Sequence, residues 1–306
     1  MAKSIVVVGS LNMDFVVQVA SLPVRGQTVS GRGFKMLPGG KGANQACAAG
    51  RLSGRASMVG RVGDDVFGEK LKASLAAAGV DVSHVRTTPG EATGVALIPV
   101  EDGGENLIVV AGGANLRLSS KDVEHALAGV SEGLLLAQLE SPIETVEAAL
   151  ALARDRGMAT ILDPAPARPL GEAILRTVDV LTPNESEAML LLGLRGDTVS
   201  LAEAPGLARR LVALGPRNVI LKLGDKGAWL EGAAGSGGFP VRTVEAVDAT
   251  AAGDTFNGAL AVALAEGRSM PEAIVFANGA ASISVTRLGA QASIPHRVEV
   301  DALLAG

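Results

Sequence analysis

Short apolar runs that alternate with helical segments constrain the fold of this chain more than any other feature. Each run spans three to five residues, which suits strands that are buried on both faces. The runs lie at 5–8, 134–137, 160–162, 178–181 and 219–223. Between them lie Ala- and Leu-rich segments such as 142–154, where Ser141 and Glu144 have capping-box spacing and Pro142 stands at the first helical position. This order predicts an α/β fold with a mostly parallel sheet covered by helices.

Three segments break this alternation. Residues 14–19, 94–100 and 107–110 look extended, and the last two are joined by the turn sequence EDGGEN. We predict that they form a small antiparallel addition to the main sheet. The last predicted helices span 255–266 and 271–285. With 306 residues, of which 48% are hydrophobic, the chain suits a single domain over 1–306.

Composition excludes several classes of function. A net charge of -5 without any Lys/Arg cluster argues against nucleic-acid binding, and 2% aromatic residues leave few stacking platforms. No apolar stretch is long enough to predict a membrane span or a signal segment. A single cysteine, Cys47, fits a reducing compartment, so we expect a cytoplasmic protein. The three histidines match no metal-binding spacing.

The run DATAAGDTFNGA passes from small residues into a predicted helix. Asp254 lies in its first turn, after Ala251, Ala252 and Gly253, whose backbone N–H groups no bulky side chain covers. An anion hole beside a carboxylate suits phosphoryl transfer, in which the carboxylate accepts the proton of the attacking hydroxyl. Taken alone, Asp254 is better explained as an acid that stabilises the helix dipole, and the other motifs reverse that preference.

A second glycine cluster, LPGGKGANQACAAG, also opens a predicted helix. It is not a Walker phosphate loop, because Lys41 is followed by Gly42 rather than by Ser or Thr. The exposed backbone of the glycines, the Lys41 ammonium and the Asn44 amide would suit several hydroxyl groups. A tight turn and helix cap is the alternative interpretation.

Three further polar groups adjoin predicted strands. Asn12 and Asp14 have the spacing that places two side chains on one side of an extended chain, where they could hold neighbouring hydroxyls or form an Asx turn. Asn184 and Glu187 have cap and N3 spacing, and could also reach nucleotide phosphates or waters on a magnesium ion. The turn GDKG after 219–223 could hold a nucleotide or only close a hairpin.

Together these motifs resemble the ribokinase-like (PfkB) carbohydrate kinases nearly end to end. The matching segments, in the family's order, are GSLNMD, GGKGANQA, GVALIPV, QLESP, PAPAR, TPNESEA, LKLGDKGAW, VDATAAGDTFNGA and VTRLGAQAS. The resemblance implies a three-layer α/β/α domain with a mostly parallel sheet and a small β-sheet lid, formed by about 12–35 and 91–112. It also implies a homodimer assembled through that lid.

The resemblance further implies the site and the reaction. Asp254 would take the proton from the 5-hydroxyl of ribose or a related sugar, and ATP would donate the phosphoryl group over the anion hole of Ala251, Ala252 and Gly253. The implied sugar-binding residues are Asn12, Asp14, Gly40, Lys41, Gly42, Ala43, Asn44 and Glu140. The implied nucleotide-binding residues are Asn184, Lys222, Leu223, Gly224, Asp225, Lys226, Gly227, Gly253 and Asn278.

Two metal ions are implied by the same resemblance. Glu187 would organise Mg²⁺ through water. A monovalent cation, usually K⁺, would bind at Asp248, Thr250, Ser284, Arg287, Gly289 and Ser293.

Two residues depart from the family pattern. Lys222 stands where a small hydroxyl residue is common, and Asn278 where His is frequent, which bears on phosphate contacts and nucleotide preference. Two alternatives stay open at this point. One is a related kinase of deoxyribose, fructose, a keto-deoxy sugar or a nucleoside, and the other is a non-catalytic sugar sensor on the same fold.

Overall fold

The computed structural model describes residues 3–306, which form two β-sheets and two helical layers. The strands are β1 (Ser4–Val8), β2 (Asn12–Val19), β3 (Gly31–Gly39), β4 (Arg55–Gly63), β5 (Val85–Thr88), β6 (Gly94–Glu101), β7 (Val109–Ala111), β8 (Gly133–Ala137), β9 (Ala159–Leu162), β10 (Val180–Leu181), β11 (Asn218–Lys222), β12 (Ala228–Gly232) and β13 (Gly235–Phe239). The α-helices are α1 (Lys41–Arg51), α2 (Val66–Ala77), α3 (Ser120–Ala126), α4 (Ile143–Asp155), α5 (Glu172–Leu175), α6 (Glu185–Leu191), α7 (Ala204–Val212), α8 (Ala252–Ala265), α9 (Met270–Ser284), α10 (Ala290–Ser293) and α11 (Arg297–Ala305).

The larger sheet has the strand order β13-β12-β11-β10-β9-β8-β1-β4-β5. All neighbours from β11 to β5 pair in parallel, and only the pairs β11–β12 and β12–β13 are antiparallel. The predicted parallel sheet is therefore confirmed. Strand order reverses between β1 and β8, and ligands in such sheets bind where the order reverses, at the carboxyl ends of the strands.

Two hydrophobic cores lie on opposite faces of this sheet. Ile5 and Val7 pack with buried residues of α1, α2, α8 and α9. Val6 and Val8 pack with buried residues of α3, α4 and α7. Because successive side chains of a strand point to opposite faces, one short run of β1 supports both cores. The arrangement is the predicted three-layer α/β/α fold.

Two local predictions were wrong. Helix α4 begins at Ile143 with Pro142 as its N-cap, so Ser141 lies outside the capping position and its buried hydroxyl has no hydrogen-bond partner. The chain also forms α10 and α11 beyond residue 285, where no helix was predicted. Helix α11 shows only one buried residue, Val300, so its sequence carries a weak periodic signal.

The smaller sheet has the order β3-β2-β6-β7. The pairs β2–β3 and β6–β7 are antiparallel, as predicted, but β2 and β6 pair in parallel. The difference arises because the chain travels through α1, β4, α2 and β5 between those strands, and such a crossover brings strands together in parallel. Strand β3 continues to Gly39, four residues beyond the predicted edge of the lid at residue 35.

Helix α1 packs end-on against the segment that follows β1. A Cβ atom on Gly42 would lie 2.6 Å from the backbone N of Ser10 and 2.7 Å from the carbonyl carbon of Gly9. These contacts are closer than atoms can approach, so any larger residue would push the helix away from the sheet.

We expect Gly42→Ala to lower the free energy of unfolding by about 1–3 kcal/mol, because it overpacks a rigid contact. Gly206→Ala is the matched control, since nothing lies within 4 Å of its Cβ position on α7 and alanine favours helix. Urea unfolding of both variants measures the difference. Equal stabilities would contradict the packing argument.

Among residues 3–306, we find no helix with the length and apolar character that crossing a membrane requires.

Candidate active site

Three adjoining cavities surround the start of α8 at the carboxyl ends of the parallel strands. The first, of about 510 Å³, lies under the small sheet, and the second, of about 410 Å³, lies beside the first turn of α8. The third, of about 510 Å³, has an apolar wall. Asp254 and Lys41 line both the first and the second cavity. Gly253 and Lys222 line both the second and the third.

The first cavity brings together most of the residues expected to hold a sugar. Its polar lining includes Asn12, Asp14, Gly40, Lys41, Asn44 and Glu140. Ala96, Ile98 and Val110 of the small sheet form its apolar roof. Gly42 and Ala43 are buried within α1 and lie behind this lining. A polar floor with an apolar roof suits a polyol, whose hydroxyls and C–H faces need different partners.

Asp14 points into this cavity from β2. Asp14 pairs with Ala96 of β6, and the two side chains lie on the same face of the small sheet. Gly39 of β3 leaves it room, because a Cβ there would lie 2.1 Å from Asp14 Oδ2. Burial, and then the negative charges of Glu140 and Asp254, raise the pKa of Asp14 to about 7.

Several residues that position the sugar-side groups were not predicted. Ser10 Oγ donates to Glu140 Oε2 at 2.5 Å, and the Lys41 backbone N–H donates to the same oxygen at 3.1 Å. Asn115 Nδ2 donates to Asn12 Oδ1 at 2.8 Å, so the Asn12 amide is oriented. A sequence pattern gives little signal for these contacts, because the partners lie about 100 or more residues apart.

Asp254 is a buried carboxylate with two amide donors. Its side chain is 6% exposed, Asn44 Nδ2 donates to Oδ2 at 2.9 Å, and Gln45 Nε2 donates to Oδ1 at 2.9 Å. Burial raises the pKa of Asp254, and the Asp163 charge adds to that effect, while Lys41 and the two amides oppose it. The amides hold the carboxylate in place, and desolvation makes it a stronger base than a surface aspartate.

In the part of the chain that the structure describes, the backbone at the start of α8 leaves some of its N–H groups without hydrogen-bond partners at the predicted anion hole. Ala251 adopts a left-handed conformation with φ of 60°, which is unfavourable for alanine and redirects the chain into the helix. The Ala252 N–H donates to Ala249 O at 3.2 Å, so it is engaged in a turn. Within residues 3–306, the N–H groups of Gly253 and Asp254 have no backbone acceptor. These two groups are free to bind an anion.

Lys222 lines the second cavity, which it reaches from the end of β11. Its Nζ donates to Asp163 Oδ1 at 3.0 Å, and it lies 3.4 Å from the position of a Cβ on Gly253. Asp163 directly follows β9 and is only 2% exposed. Asp163 was missed in the sequence, although an acid at the carboxyl end of a buried strand was the available signal.

Asn184 and Glu187 form the capping box that their spacing predicts at the start of α6. The Asn184 backbone N–H donates to Glu187 Oε2 at 2.8 Å and its Nδ2 donates to Oε1 at 3.0 Å. Both residues also line the second cavity. The pKa of Glu187 is raised, chiefly by burial. The charge of Lys222 opposes this rise, and the charge of Asp163 adds to it. Each carboxylate oxygen retains a lone pair for a water on a metal ion.

The third cavity has an apolar wall that suits an aromatic base. Its apolar wall includes Val241, Val244 and Val285, and Asn278 lies in the same lining, where its Nδ2 donates to Phe239 O at 3.1 Å. The GDKG turn does close the β11–β12 hairpin, and Gly224, Asp225 and Gly227 also line the cavity. Two predicted nucleotide residues point elsewhere. Leu223 is buried in the core, and Lys226 pairs with Glu185 at 2.6 Å.

The predicted cation residues lie partly in loops and partly at helix ends: Asp248, Thr250, Arg287 and Gly289 are loop residues, whereas Ser284 ends α9 and Ser293 ends α10. Asp248 Oδ1 accepts from the Thr250 N–H and Oδ2 accepts from the Gly289 N–H, each at 2.8 Å. Partial burial disfavours the Asp248 charge, but these hydrogen bonds lower its pKa overall. Ser284 and Ser293 donate to nearby backbone carbonyls. Arg287 instead pairs with Glu299. A carboxylate beside hydroxyl and carbonyl oxygens is a suitable donor set for a hard cation.

Comparisons with known proteins agree with this geometry. The family described as "pfkB family carbohydrate kinase" matches residues 2–297. A ribokinase of Haemophilus influenzae is 40% identical over 98% of this chain and 97% of its own length. One from Schizosaccharomyces pombe is 41% identical over 97% of this chain and 96% of its own.

A solved structure extends the likeness to three dimensions. Arabidopsis thaliana ribokinase complexed with ribose and ATP superposes with a TM-score of 0.90 at 34% identity, and the match covers 100% of both chains. The family match spans nearly the whole chain and the fold is shared throughout. The chain belongs to the pfkB family of carbohydrate kinases.

Proposed function

We propose that this protein transfers the terminal phosphoryl group of ATP to the 5-hydroxyl of D-ribose, giving D-ribose 5-phosphate and ADP. The observation that carries the proposal is the position of Asp254, which lines both the polyol cavity and the anion-binding cavity. Ribokinases at 40% and 41% identity, and the neighbour solved with ribose and ATP, support the choice of substrates.

The site performs three tasks in this reaction. Asp14, Asn12 and Glu140 would orient the sugar so that its 5-hydroxyl faces Asp254. Asp254 accepts the hydroxyl proton as the oxygen attacks phosphorus. The free N–H groups at the start of α8 and the ammonium of Lys41 bind the negative charge of the transferred group.

Two ions complete the proposal. Mg²⁺ would be held near Glu187 through its water shell and, when bound, neutralises part of the phosphate charge. K⁺ would occupy the oxygen-rich loops around Asp248 and Thr250, where it supports the turn that precedes the anion hole. The cytoplasmic location expected from cysteine usage stays a prediction.

A substrate panel tests the function. ADP release would be followed with ribose, deoxyribose, fructose, a keto-deoxy sugar and a nucleoside, each with and without K⁺. We expect ribose to have the highest kcat/KM and K⁺ to raise it. A higher kcat/KM with another compound of the panel would identify that compound as the substrate. No turnover with any compound would refute the kinase function.

The raised pKa of Asp14 predicts a pH dependence of sugar binding. Above pH 7 the carboxylate is ionised and accepts two sugar hydroxyls, whereas below pH 7 it is protonated and loses acceptor capacity. The KM for ribose should therefore rise as pH falls from 8 to 5.5, by up to about tenfold per pH unit below the pKa. Asp14→Asn should show a high KM that varies little across this range. A wild-type KM that is constant with pH would contradict the assignment.

We also propose that the small sheet assembles a homodimer. The face opposite Asp14 carries Phe34, Met36, Leu97 and Val109, which are between 46% and 62% exposed. A contiguous apolar patch of this kind suits a protein interface. Light scattering should report a dimer, and Leu97→Glu should shift it towards the monomer. A monomeric wild type would refute the proposal.

A further inference from the structure

A chain of hydrogen bonds connects Asp254 to Lys222 through two residues without an assigned role. Gln45 Nε2 donates to Asp254 Oδ1 and to Asp163 Oδ2, each at 2.9 Å. Asp163 Oδ1 in turn accepts from Lys222 Nζ at 3.0 Å. Lys222 lines the anion-binding cavity, so these hydrogen bonds connect Asp254 to the side of the cavity where the phosphates would bind.

The central amide has only one favourable orientation. Gln138 Nε2 donates to Gln45 Oε1 at 2.6 Å, and both glutamines are fully buried. If the Gln45 amide were flipped, its oxygen would face two carboxylates while its NH₂ group would face another NH₂ group. Every polar atom of Gln45 therefore has a partner only in the observed orientation.

Burial of the ion pair between Asp163 and Lys222 costs free energy of hydration. Asp163 is 2% exposed and the Lys222 side chain is 14% exposed. Buried ion pairs are often no more stabilising than apolar residues of similar volume, because both charges lose their hydration. Lys222 also has further N–H donors, and it lies in the lining of the cavity where phosphate oxygens would enter. This position favours a role in the reaction over a role in stability.

We propose that Gln45 and Asp163 are positioning residues of the phosphoryl transfer: Asp163 holds the Lys222 ammonium at the anion cavity, and Gln45 ties that pair to the carboxylate of Asp254. The inference rests on the proposed kinase function. Entry of ATP would make Lys222 share its charge between the phosphate and Asp163. The charge of Asp163 is then less compensated, so Asp254 becomes more basic when the donor is in place.

Kinetic variants separate positioning from simple stability. Gln45→Met keeps the volume of the side chain but removes both N–H donors, and we expect kcat to fall by about 10²-fold while the KM for sugar stays nearly constant. Asp163→Asn should also lower kcat. If the residues act as one unit, the double variant loses less than the product of the two single losses.

Thr145→Val on α4 is the matched control, because it removes a buried side-chain hydrogen bond to Leu118 O and Thr145 lies outside the cavities. It should lower stability without changing kcat. An unchanged kcat in Gln45→Met, or single losses that multiply in the double variant, would overturn the proposal. If Gln45→Met does not fold, Asp163→Asn, Lys222→Met and their double variant form a second double-mutant cycle. Single losses in kcat that multiply in that double variant would likewise overturn the proposal.

A second measurement needs no turnover. The charged groups that face Asp254 are Lys41 on α1, Asp163 after β9 and Asp14 on β2. Since the Asp163 charge raises the pKa of Asp254, carboxyl ¹³C NMR should show a lower Asp254 titration midpoint in Asp163→Asn. An unchanged midpoint would overturn the coupling. A wild type that phosphorylates no sugar would refute the kinase function separately, and this titration would still decide whether the two carboxylates are coupled.

Discussion

Asp254→Asn is expected to lower kcat by about 10²–10⁴-fold while the protein still binds sugar, because the amide cannot accept the hydroxyl proton. The substitution preserves the volume of the side chain. It also removes a buried negative charge, and burial raises the pKa of this carboxyl group, so the variant should be at least as stable as the wild type. Steady-state kinetics with ribose and ATP measure the loss of kcat. Calorimetric titration with ribose measures the sugar binding that the variant retains.

Asp301→Asn provides the control for this substitution. Asp301 is an exposed aspartate on α11 that pairs with Arg297, so its replacement should leave kcat unchanged. If Asp254→Asn turned over at the wild-type rate, Asp254 would not be the base. If the wild type bound ribose but released no ADP, a non-catalytic sugar sensor would explain the fold.

Lys41→Met is expected to have the second largest effect, a loss of about 10²–10³-fold in kcat. Lys41 lines the sugar and anion cavities, where it can stabilise charge on the phosphoryl group during transfer. Burial disfavours its charge, but Asp254 and other nearby carboxylates raise its pKa overall, so it is protonated under assay conditions. Methionine keeps most of the length of the lysine side chain and removes the charge.

The same substitution should shift the pH profile. The charge of Lys41 opposes the rise in the pKa of Asp254, so removing it should raise that pKa further and move the acidic limb of the kcat profile to higher pH. Lys72→Met, on α2 and outside the three cavities, is the control and should change neither quantity. A Lys41→Met enzyme with the wild-type kcat would show that backbone groups alone bind the phosphoryl charge.

Much of the fold could be predicted because its signals are local. The buried run of β1, the start of α8 and the capping box of Asn184 and Glu187 each depend on residues within one segment. The predictions that failed were of two kinds. The capping position expected at Ser141 was a local error, because Pro142 caps α4 instead, whereas the pairing of the small sheet depended on distant segments. The parallel pairing of β2 with β6 follows from the route of the chain between them, and no periodicity within either strand encodes it.

The sequence predicted many residues that the structure places around the three cavities, but it did not predict the connections among them. Gly253 and Asp254 were predicted from a glycine-marked helix start, whereas the engagement of the Ala252 N–H depends on a turn that begins at Ala249. Asp163 and Gln45 sit in segments whose patterns show only a strand end and a helix. Their roles emerge when strand order brings residues more than 100 positions apart within hydrogen-bonding distance.

The sequence by itself determined the class of fold, and it predicted a base in DATAAGDTFNGA and glycines that would admit an anion, because each of these inferences depends on local geometry and residue chemistry. Tertiary structure alone decided that Asp254 faces two cavities and that its carboxylate is bound to Gln45 and, through it, to Asp163 and Lys222. The physical reason is that burial and charge coupling depend on distances between side chains, and those distances are set only when the parallel strands bring their carboxyl ends to one edge.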